Sequence, residues 1–306
     1  AFDNSRFVPV TYRPFDVRYT WYSGRGKGFI GTPASGLMHH ILQDKNLGLC
    51  CLRQARRGQI DGFFAVQDLV CKDVVSPFDI GTVFPLYLYP NGNLPEEDLF
   101  AHDNGRRPNL SAEFIKAFCA KLRVKFVPDG LGRPGKREIG PELIFHYAYA
   151  VFHSPTYRAR YAEFLRADFP RLPLTSDFEL FRVLGGFGGD LVDLHARGKG
   201  EPHGLNFPVK GDNTIEEVRY QPPQGKEPGR IWINDKQSVE GVPEAAWTFP
   251  IGGYLPAQRW LKDRIGRTLG YAEQEEYKRI IWALIETKRL MAEIDSAIAQ
   301  HGGWPL

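Results

Sequence analysis

Apolar and polar positions follow a short, strand-like rhythm over the first 140 residues and a helical rhythm over most of the remainder. Thr11–Tyr22 (TYRPFDVRYTWY) is dense in β-branched and aromatic residues. It predicts strands broken near Pro14, because proline removes a ladder donor. Leu47–Arg53 and Phe63–Val75 read as strands separated by the basic turn Arg56-Arg57-Gly58. Val83–Tyr89 (VFPLYLY) reads as one further buried strand. Ser35–Asp44 predicts a short helix with Leu37, Ile41 and Leu42 apolar. Ser111 is an N-cap for a helix to about Lys121, whose inner face carries Phe114, Ile115 and Phe118.

In the second half, Pro141–Phe152 predicts a helix with proline at its first position, where the missing N–H costs nothing. Ser154-Pro155 opens the next helix, with Tyr157, Tyr161, Phe164 and Leu165 on one side and Arg158, Arg160 and Arg166 facing out. Phe169-Pro-Arg-Leu-Pro173 stops it. Ser176 and Glu179 have capping-box spacing ahead of Phe178, Leu180, Phe181 and Leu184. Gly185-Gly-Phe-Gly-Gly189 follows a helical pattern that Leu191 and Leu194 continue, so it reads as a helix or turn packed closely on a neighbour. Residues 198–240 are rich in Gly, Pro and charge, with short strands near Val218 and Ile231. Pro256–Arg264 predicts a short helix. A long one runs from about Tyr271 to Ala299, with Tyr277, Ile281, Leu284, Met291, Ile294 and Ile298 as its buried stripe. The fold class is α+β: a strand-rich lobe over 1–140, then a helical lobe over 141–306 with a β insertion near 200–240.

Composition narrows the class. The chain has 306 residues, 42% hydrophobic and 25% charged, which suits a globular protein and excludes disorder. No run of about 18 apolar residues occurs, so no membrane-spanning helix is expected. Cys50, Cys51, Cys71 and Cys119 are too few for a disulfide framework, which points to a reducing cytoplasm. The chain opens at Ala1 with neither Met nor a signal-peptide pattern, and reads as a piece of a longer polypeptide.

Charge adds a partner class. Residues 1–140 carry 19 Lys/Arg against 14 Asp/Glu, whereas 141–306 carry 20 against 22. Over 104–137, nine basic residues (Arg106, Arg107, Lys116, Lys121, Arg123, Lys125, Arg133, Lys136 and Arg137) face only Glu113 and Asp129. Such a patch is the footprint of a polyanion partner, and equally of a solvated basic face. Arg25 and Lys27 lie in a glycine-rich loop beside aromatic strands, and Arg53, Arg56 and Arg57 cluster at a strand end. Long polar loops at 90–110, 128–139 and 198–230 have the reach to enter a groove. The candidate nucleic-acid contacts are Arg25, Lys27, Arg56, Arg57, Arg106, Arg107, Arg133, Lys136 and Arg137, because the arginine fork bonds phosphates and guanine edges in pairs. Arg13, Arg18 and the Arg158–Arg160 pair read as structural, with Asp16 an acid partner for the first two.

Catalytic patterns fail. Gly24-Arg-Gly-Lys-Gly28 lacks the spacing and the hydroxyl of a phosphate loop. There is no Cys-x-x-Cys, no His-Glu-x-x-His and no Gly-x-Ser-x-Gly. Asp263 with Glu276-Tyr-Lys278 matches a metal nuclease by letters alone, since Glu276 falls early in a helix. Two other readings stay open: a stand-alone metal-dependent hydrolase using His146, His153 and Asp168, and a docking scaffold built on 21 Phe and 13 Tyr.

The order of segments resembles a known family. Tyr12-Arg-Pro-Phe-Asp-Val-Arg18, Asn46-Leu-Gly-Leu49 with Arg53-Gln54, and Phe84-Pro-Leu-Tyr-Leu-Tyr-Pro90 come first. Tyr147–Arg158, Arg160-Tyr161 and Asp168–Asp177 come next, then Glu240-Gly-Val-Pro243, Trp247, Ile251-Gly-Gly-Tyr254 and Trp260–Arg264. Together these resemble the C-terminal specificity domain of Type ISP restriction-modification enzymes, over nearly the whole chain. The resemblance implies a target-recognition domain that grips double-stranded DNA jointly with an adjacent adenine methyltransferase domain. It implies that nuclease, ATP-driven motor and methyltransferase lie elsewhere in a parent chain. S-adenosylmethionine, ATP and Mg would then be bound there, with no cofactor in this segment. In keeping with that, no Asn-Pro-Pro-Tyr or Asp-Pro-Pro-Tyr methylation motif occurs.

Overall fold

The computed structural model describes residues 4–26, 32–90 and 105–306. The chain opens on a hairpin, β1 (Phe7–Arg13) and β2 (Asp16–Trp21), turned through Pro14 and a left-handed Phe15. Helix α1 (Ser35–Ile41) leads into β3 (Gly48–Leu52), β4 (Phe64–Val66), β5 (Leu69–Val70), β6 (Gly81–Pro85), β7 (Tyr87–Leu88) and β8 (Arg107–Pro108). Then come α2 (Ala112–Leu122), β9 (Lys125–Phe126) and β10 (Glu138–Ile139). Four helices succeed them: α3 (Pro141–His153), α4 (Pro155–Arg160), α5 (Ala162–Ala167) and α6 (Phe178–His195). A meander of β11 (Arg219–Gln221), β12 (Arg230–Trp232) and β13 (Ser238–Glu240) precedes α7 (Glu244–Trp247), α8 (Pro256–Lys262) and the 30-residue α9 (Tyr271–Gln300).

The architecture is α+β, with small sheets concentrated towards the N-terminus and helices towards the C-terminus. The sheets run β2-β1-β5, β4-β3-β6, β7-β8, β10-β9 and β11-β12-β13. Start signals act where the sequence places them. The Ser111 hydroxyl accepts from the Phe114 N–H at 3.2 Å, and Ser154 caps α4 by accepting from Tyr157 at 3.0 Å.

Several boundaries differ from expectation. Phe63–Val75 is not one strand: β4 pairs with β3, whereas β5 lies parallel to β1 in another sheet. Val83–Tyr89 likewise splits at Leu86, whose N–H donates to Leu47 O at 2.7 Å while β6 and β7 join different sheets. The cap of α6 is Asp177, one residue later than the capping-box spacing suggests; its Oδ1 accepts from both Glu179 and Leu180. The helix expected after Ser154 breaks at Tyr161, which leaves Phe164 65% exposed. Arg158 turns inward, donating from Nε to Phe152 O at 2.6 Å. On α9, Leu290 is buried and Met291 only half-buried, because 3.6-residue periodicity favours the former beside Thr287 and Ile294.

Two apolar cores result, and each draws on both halves of the chain. One centres on α3, α6 and the C-terminal half of α9, with Tyr147, Tyr149, Phe181, Leu184 and Ile294, and takes in Cys51 and Leu86. The other joins the β11–β13 meander, α8 and the N-terminal half of α9 to Ile41, Cys50 and Phe64. Cys50 and Cys51 therefore face opposite cores, as alternation along β3 requires. Burial pushes the Cys51 thiol up to about 12, so it packs as a small apolar group.

The glycine-rich stretch lies wholly within α6 and meets α3. A Cβ on Gly188 would fall 1.8 Å from His146 O, so only glycine lets the two backbones touch there. A relay of buried polar groups crosses the same region. The Ala65 N–H donates to Tyr149 Oη at 2.9 Å, and Tyr149 Oη lies 2.6 Å from His195 Nδ1. His195 Nε2 lies 2.7 Å from Thr287 Oγ1, which donates to Ala283 O at 2.6 Å. Because Thr287 has its proton committed, His195 donates from Nε2 and accepts from Tyr149 at Nδ1. Every member is satisfied, and β4, α3, α6 and α9 are pinned to one another.

Candidate nucleic-acid interface

The exposed cations are held on loops that buried structure fixes. Ala55 anchors the first loop, its N–H donating to Arg166 O at 3.2 Å. Arg56 and Arg57 come directly after it, both exposed. Arg56 Nε lies 3.6 Å from the buried Asp79 carboxylate, and the Arg57 guanidinium sits 3.5 Å over the Phe78 ring. Arg53 reaches Asp168 at 3.6 Å, an exposed pair of little energetic weight. Arg166 comes within 3.9 Å of where a Cβ on Gly58 would stand. Three arginines of the loop after β3 are thus joined by Arg166 of α5, which meets that loop at Gly58. Next to them, an open cleft of about 480 Å³ runs between Arg57, Asp61, Pro155 and Pro250. Arg158 forms part of its wall; burial pulls its pKa down and pushes that of Asp61 up.

A second group occupies the corner built by β7–β8 and β9–β10. Arg106 ion-pairs with Asp129, reaches Tyr89 Oη at 3.3 Å and lies 4.4 Å over the Tyr87 ring. Arg137 spends its fork on the C-terminal carbonyls of α2, donating to Leu122 O at 2.7 Å and Arg123 O at 3.1 Å, and stacks 4.5 Å over Phe178. Both act as struts. Arg133 pairs with Glu138 yet keeps 64% of its side chain exposed, and Lys136 is exposed at the turn between them. Arg107 sits half-buried on β8, where its charge helps to lower the His40 pKa, after burial and His39.

Arg25 stands exposed on the loop after β2. That loop shares a shallow cleft with His39 of α1, so α1 lies between Arg25 and Arg107. Lys27 and most of the 90–110 loop fall outside the described residues. The structure therefore places Arg56 with Arg57, and Arg106, Arg107, Arg133, Lys136 and Arg137 in one corner. The sequence reading groups Arg53 with Arg56 and Arg57 but misses Arg166, which it sets facing out on a continuous helix and which the structure brings to Gly58.

Arg13 and Arg18 have a different setting. Arg13 and Arg259 both pair with Asp263, the latter at 3.0 Å. Arg18 and Arg264 both reach Asp16 at 2.9 Å. The guanidiniums stack on rings as well, Arg18 at 4.0 Å over Tyr12 and Arg264 at 3.7 Å over Trp260. This lattice clamps the β1–β2 hairpin to α8. It also occupies Asp263, while Lys278 turns to Glu275, so the nuclease-like letters do not form a site. His146, His153 and Asp168 do not converge either. The two histidines are seven residues apart on α3, about 10 Å along its axis. His153 Nδ1 is bonded to Tyr149 O at 2.8 Å. Among the described residues, no group of three or more His, Cys, Asp or Glu could hold a metal ion, and no helix is long and apolar enough to cross a membrane.

No curated protein matches this chain. Among solved structures, the fold is similar to a cryo-EM structure of a DrdV–DNA complex, with TM-score 0.70 and 22% identity over 96% of this chain and 29% of that one. It is similar to the ATP-dependent Type ISP restriction-modification enzyme LlaBIII bound to DNA, with TM-score 0.67 and 18% identity over 96% and 18%. A nuclease-deletion mutant of the Type ISP enzyme LlaGI, in complex with a DNA substrate mimic, gives TM-score 0.59 and 19% identity over 96% and 25%. The chain spans less than a third of each of these proteins. Its sequence matches the family model of the Type ISP C-terminal specificity domain over residues 1–293, and by that match the chain belongs to the Type ISP specificity-domain family.

Proposed function

We propose that this chain is a sequence-specific recognition module for double-stranded DNA, acting for an adenine methyltransferase and an ATP-dependent nuclease carried elsewhere in a longer polypeptide. The observation that carries the reading is the family match over residues 1–293. The arrangement of exposed cations supports it. Arg25, Arg56, Arg57, Arg133 and Lys136 present cationic heads to solvent from anchored loops, and Lys27 belongs to the same proposal. They neutralise phosphates and fix register; that contact is independent of base sequence and weakens as salt rises. Arg107 lines the same corner, and Arg106 and Arg137 hold its shape. Discrimination then falls to a few side chains at base edges, each bidentate pair worth about 1–3 kcal/mol.

Cofactor chemistry belongs to the neighbours in this proposal. In keeping with it, glycines 185–189 lie inside α6, packed on α3, and form no phosphate loop. The module itself makes and breaks no covalent bond. Its second partner is the methyltransferase domain, which extrudes the target adenine because the stacked base is sterically closed to methyl transfer.

The test is a segment exchange. Replacing this chain's counterpart in a Type ISP enzyme of known target with these residues, then mapping methylated adenines in cells, should move methylation to a new, single sequence. An unchanged methylation site refutes the recognition role.

A further inference from the structure

The loop Ser76–Ile80 combines a rigid stalk with an apolar tip. Ser76 is fully buried, and its Oγ accepts from the N–H groups of Phe78 and Asp79, each at 3.1 Å. Asp79 is buried beneath the tip. The stalk is braced from behind: Gly253 N–H donates to Val75 O at 3.0 Å, and a Cβ on Gly252 would stand 1.8 Å from that same oxygen. On this fixed base, Phe78 is 45% exposed and Ile80 71% exposed. Among the described residues, Ile80 is the most exposed of the large aliphatic side chains. Exposure of this kind on a loop without freedom to fold the side chains away indicates a surface that meets something.

The surroundings say what. Arg57 lies flat over the Phe78 ring at 3.5 Å, and Arg56, with 77% of its side chain exposed, leans on Asp79. Lys72, also exposed, holds the far end of the loop through its carbonyl, which accepts from Gly81 N–H at 2.8 Å. A stable protein-docking face buries roughly 800 Å² on each partner. This tip is two side chains wide and ringed by cations. That is the build of a wedge that unstacks a base step while its flanks hold phosphates.

We propose that Phe78 and Ile80 insert at a base step of the bound duplex, with Arg56 and Arg57 on the flanking phosphates. This rests on the recognition function proposed above. The step favoured is a pyrimidine–purine one, because such steps unstack most easily.

The experiment selects a duplex from a randomised pool with the 306-residue chain, then places fluorescent base analogues at each position of the enriched sequence. Unstacking at one step should brighten the analogue there about threefold or more on binding. The Phe78→Ala/Ile80→Ala double variant should abolish that brightening and weaken binding roughly tenfold, with its salt dependence unchanged. The Arg56→Ala/Arg57→Ala variant should lower the slope of log affinity against log salt by about two. Matching thermal melts confirm that both variants are folded, as exposed positions allow. Absence of brightening at every position, or full brightening and affinity in the Phe78/Ile80 variant, overturns the wedge while duplex recognition stands. Enrichment of no duplex at all overturns the wedge together with the recognition function.

Discussion

The contact between α3 and α6 yields a sharp quantitative expectation. At Gly188 a single methyl group would sit 1.8 Å from His146 O and 2.5 Å from its carbonyl carbon. Real Cβ contacts essentially never fall below 3.0 Å, so Gly188→Ala forces the helices apart by about 1.2 Å at that point. The obstacle is backbone within a helix, which has no rotamer into which it can retreat. Overpacking in cores costs about 1–3 kcal/mol, and an unyielding neighbour puts this case at about 3 kcal/mol or above. The gap also loosens flanking contacts of Leu143, Tyr147, Leu184 and Leu191, all buried in the same core, since an opening of about 0.5–1 Å forfeits a quarter to a half of each dispersion well. Gly186, two residues earlier on the same helix, supplies the control. Nothing lies within 4 Å of its virtual Cβ. Gly186→Ala should therefore stabilise by about 0.8–1 kcal/mol, because alanine loses less backbone freedom on helix formation. Equilibrium urea unfolding of the two variants and the parent reads both signs. A Gly188→Ala protein within about 1 kcal/mol of the parent would refute the claim that glycine is required for this approach.

Stability should also fall in mild acid. Burial pushes the pKa of His195 down to about 3 and of His146 down to about 4, and holds that of His153 well below its usual value. A depressed folded pKa means that the native state favours the neutral ring. The stabilisation is complete above the unfolded value of about 6.5 and is lost as pH drops below it, at about 1.4 kcal/mol per pH unit for each histidine. Urea midpoints should decline between pH 7 and 5, less steeply for His195→Gln; a flat profile in the parent contradicts the neutral relay. Arg137→Ala should cost about 1–2 kcal/mol by freeing the carbonyls that end α2, whereas Lys136→Ala should leave the melt unchanged and reduce the salt slope of duplex binding by about one. A salt-slope change in the Arg137 variant as large as that in the Lys136 variant would refute its role as a strut. Ser154→Ala removes the cap of α4 and its bond to Asp295, and should lower stability by about 1–2 kcal/mol in the same assay, with no loss counting against the capping assignment.

Local chemistry made much of the fold legible. Ser111, Pro141 and Ser154-Pro155 start helices for reasons contained within four residues, and structure and sequence agree there. The Gly185–Gly189 run was readable as close packing because its apolar flanks kept helical period. Sheet membership was not readable in this way. Apolar alternation along Val83–Tyr89 is the same whether its two ends join one sheet or two; the break at Leu86 depends on Leu47, distant in sequence. The cap falls on Asp177, one residue past Ser176; its second carboxylate oxygen also meets His301, 124 residues onward. The same limit governs the interface. Arg57 and Arg137 look alike as letters in basic turns, yet one presents its charge over an exposed ring and the other commits its fork to the carbonyls of a helix end. Which arginine is spoken for is decided by partners that only tertiary structure supplies.

The clamp between the β1–β2 hairpin and α8 bears on how such a chain is made. Arg13 and Asp263 are separated by 250 residues, and Asp16 and Arg264 by 248. Ribosomes add about 5–20 residues per second, so the hairpin waits roughly 10–50 seconds for its anchors to emerge. Until then Arg13 lacks the Asp263 carboxylate and the Tyr254 ring that later meet it, and Asp16 lacks Arg264. The hairpin is thus clamped only once partners 248–250 residues downstream have emerged, and slowing translation between it and residue 256 should lengthen the interval in which nascent chains are open to proteases.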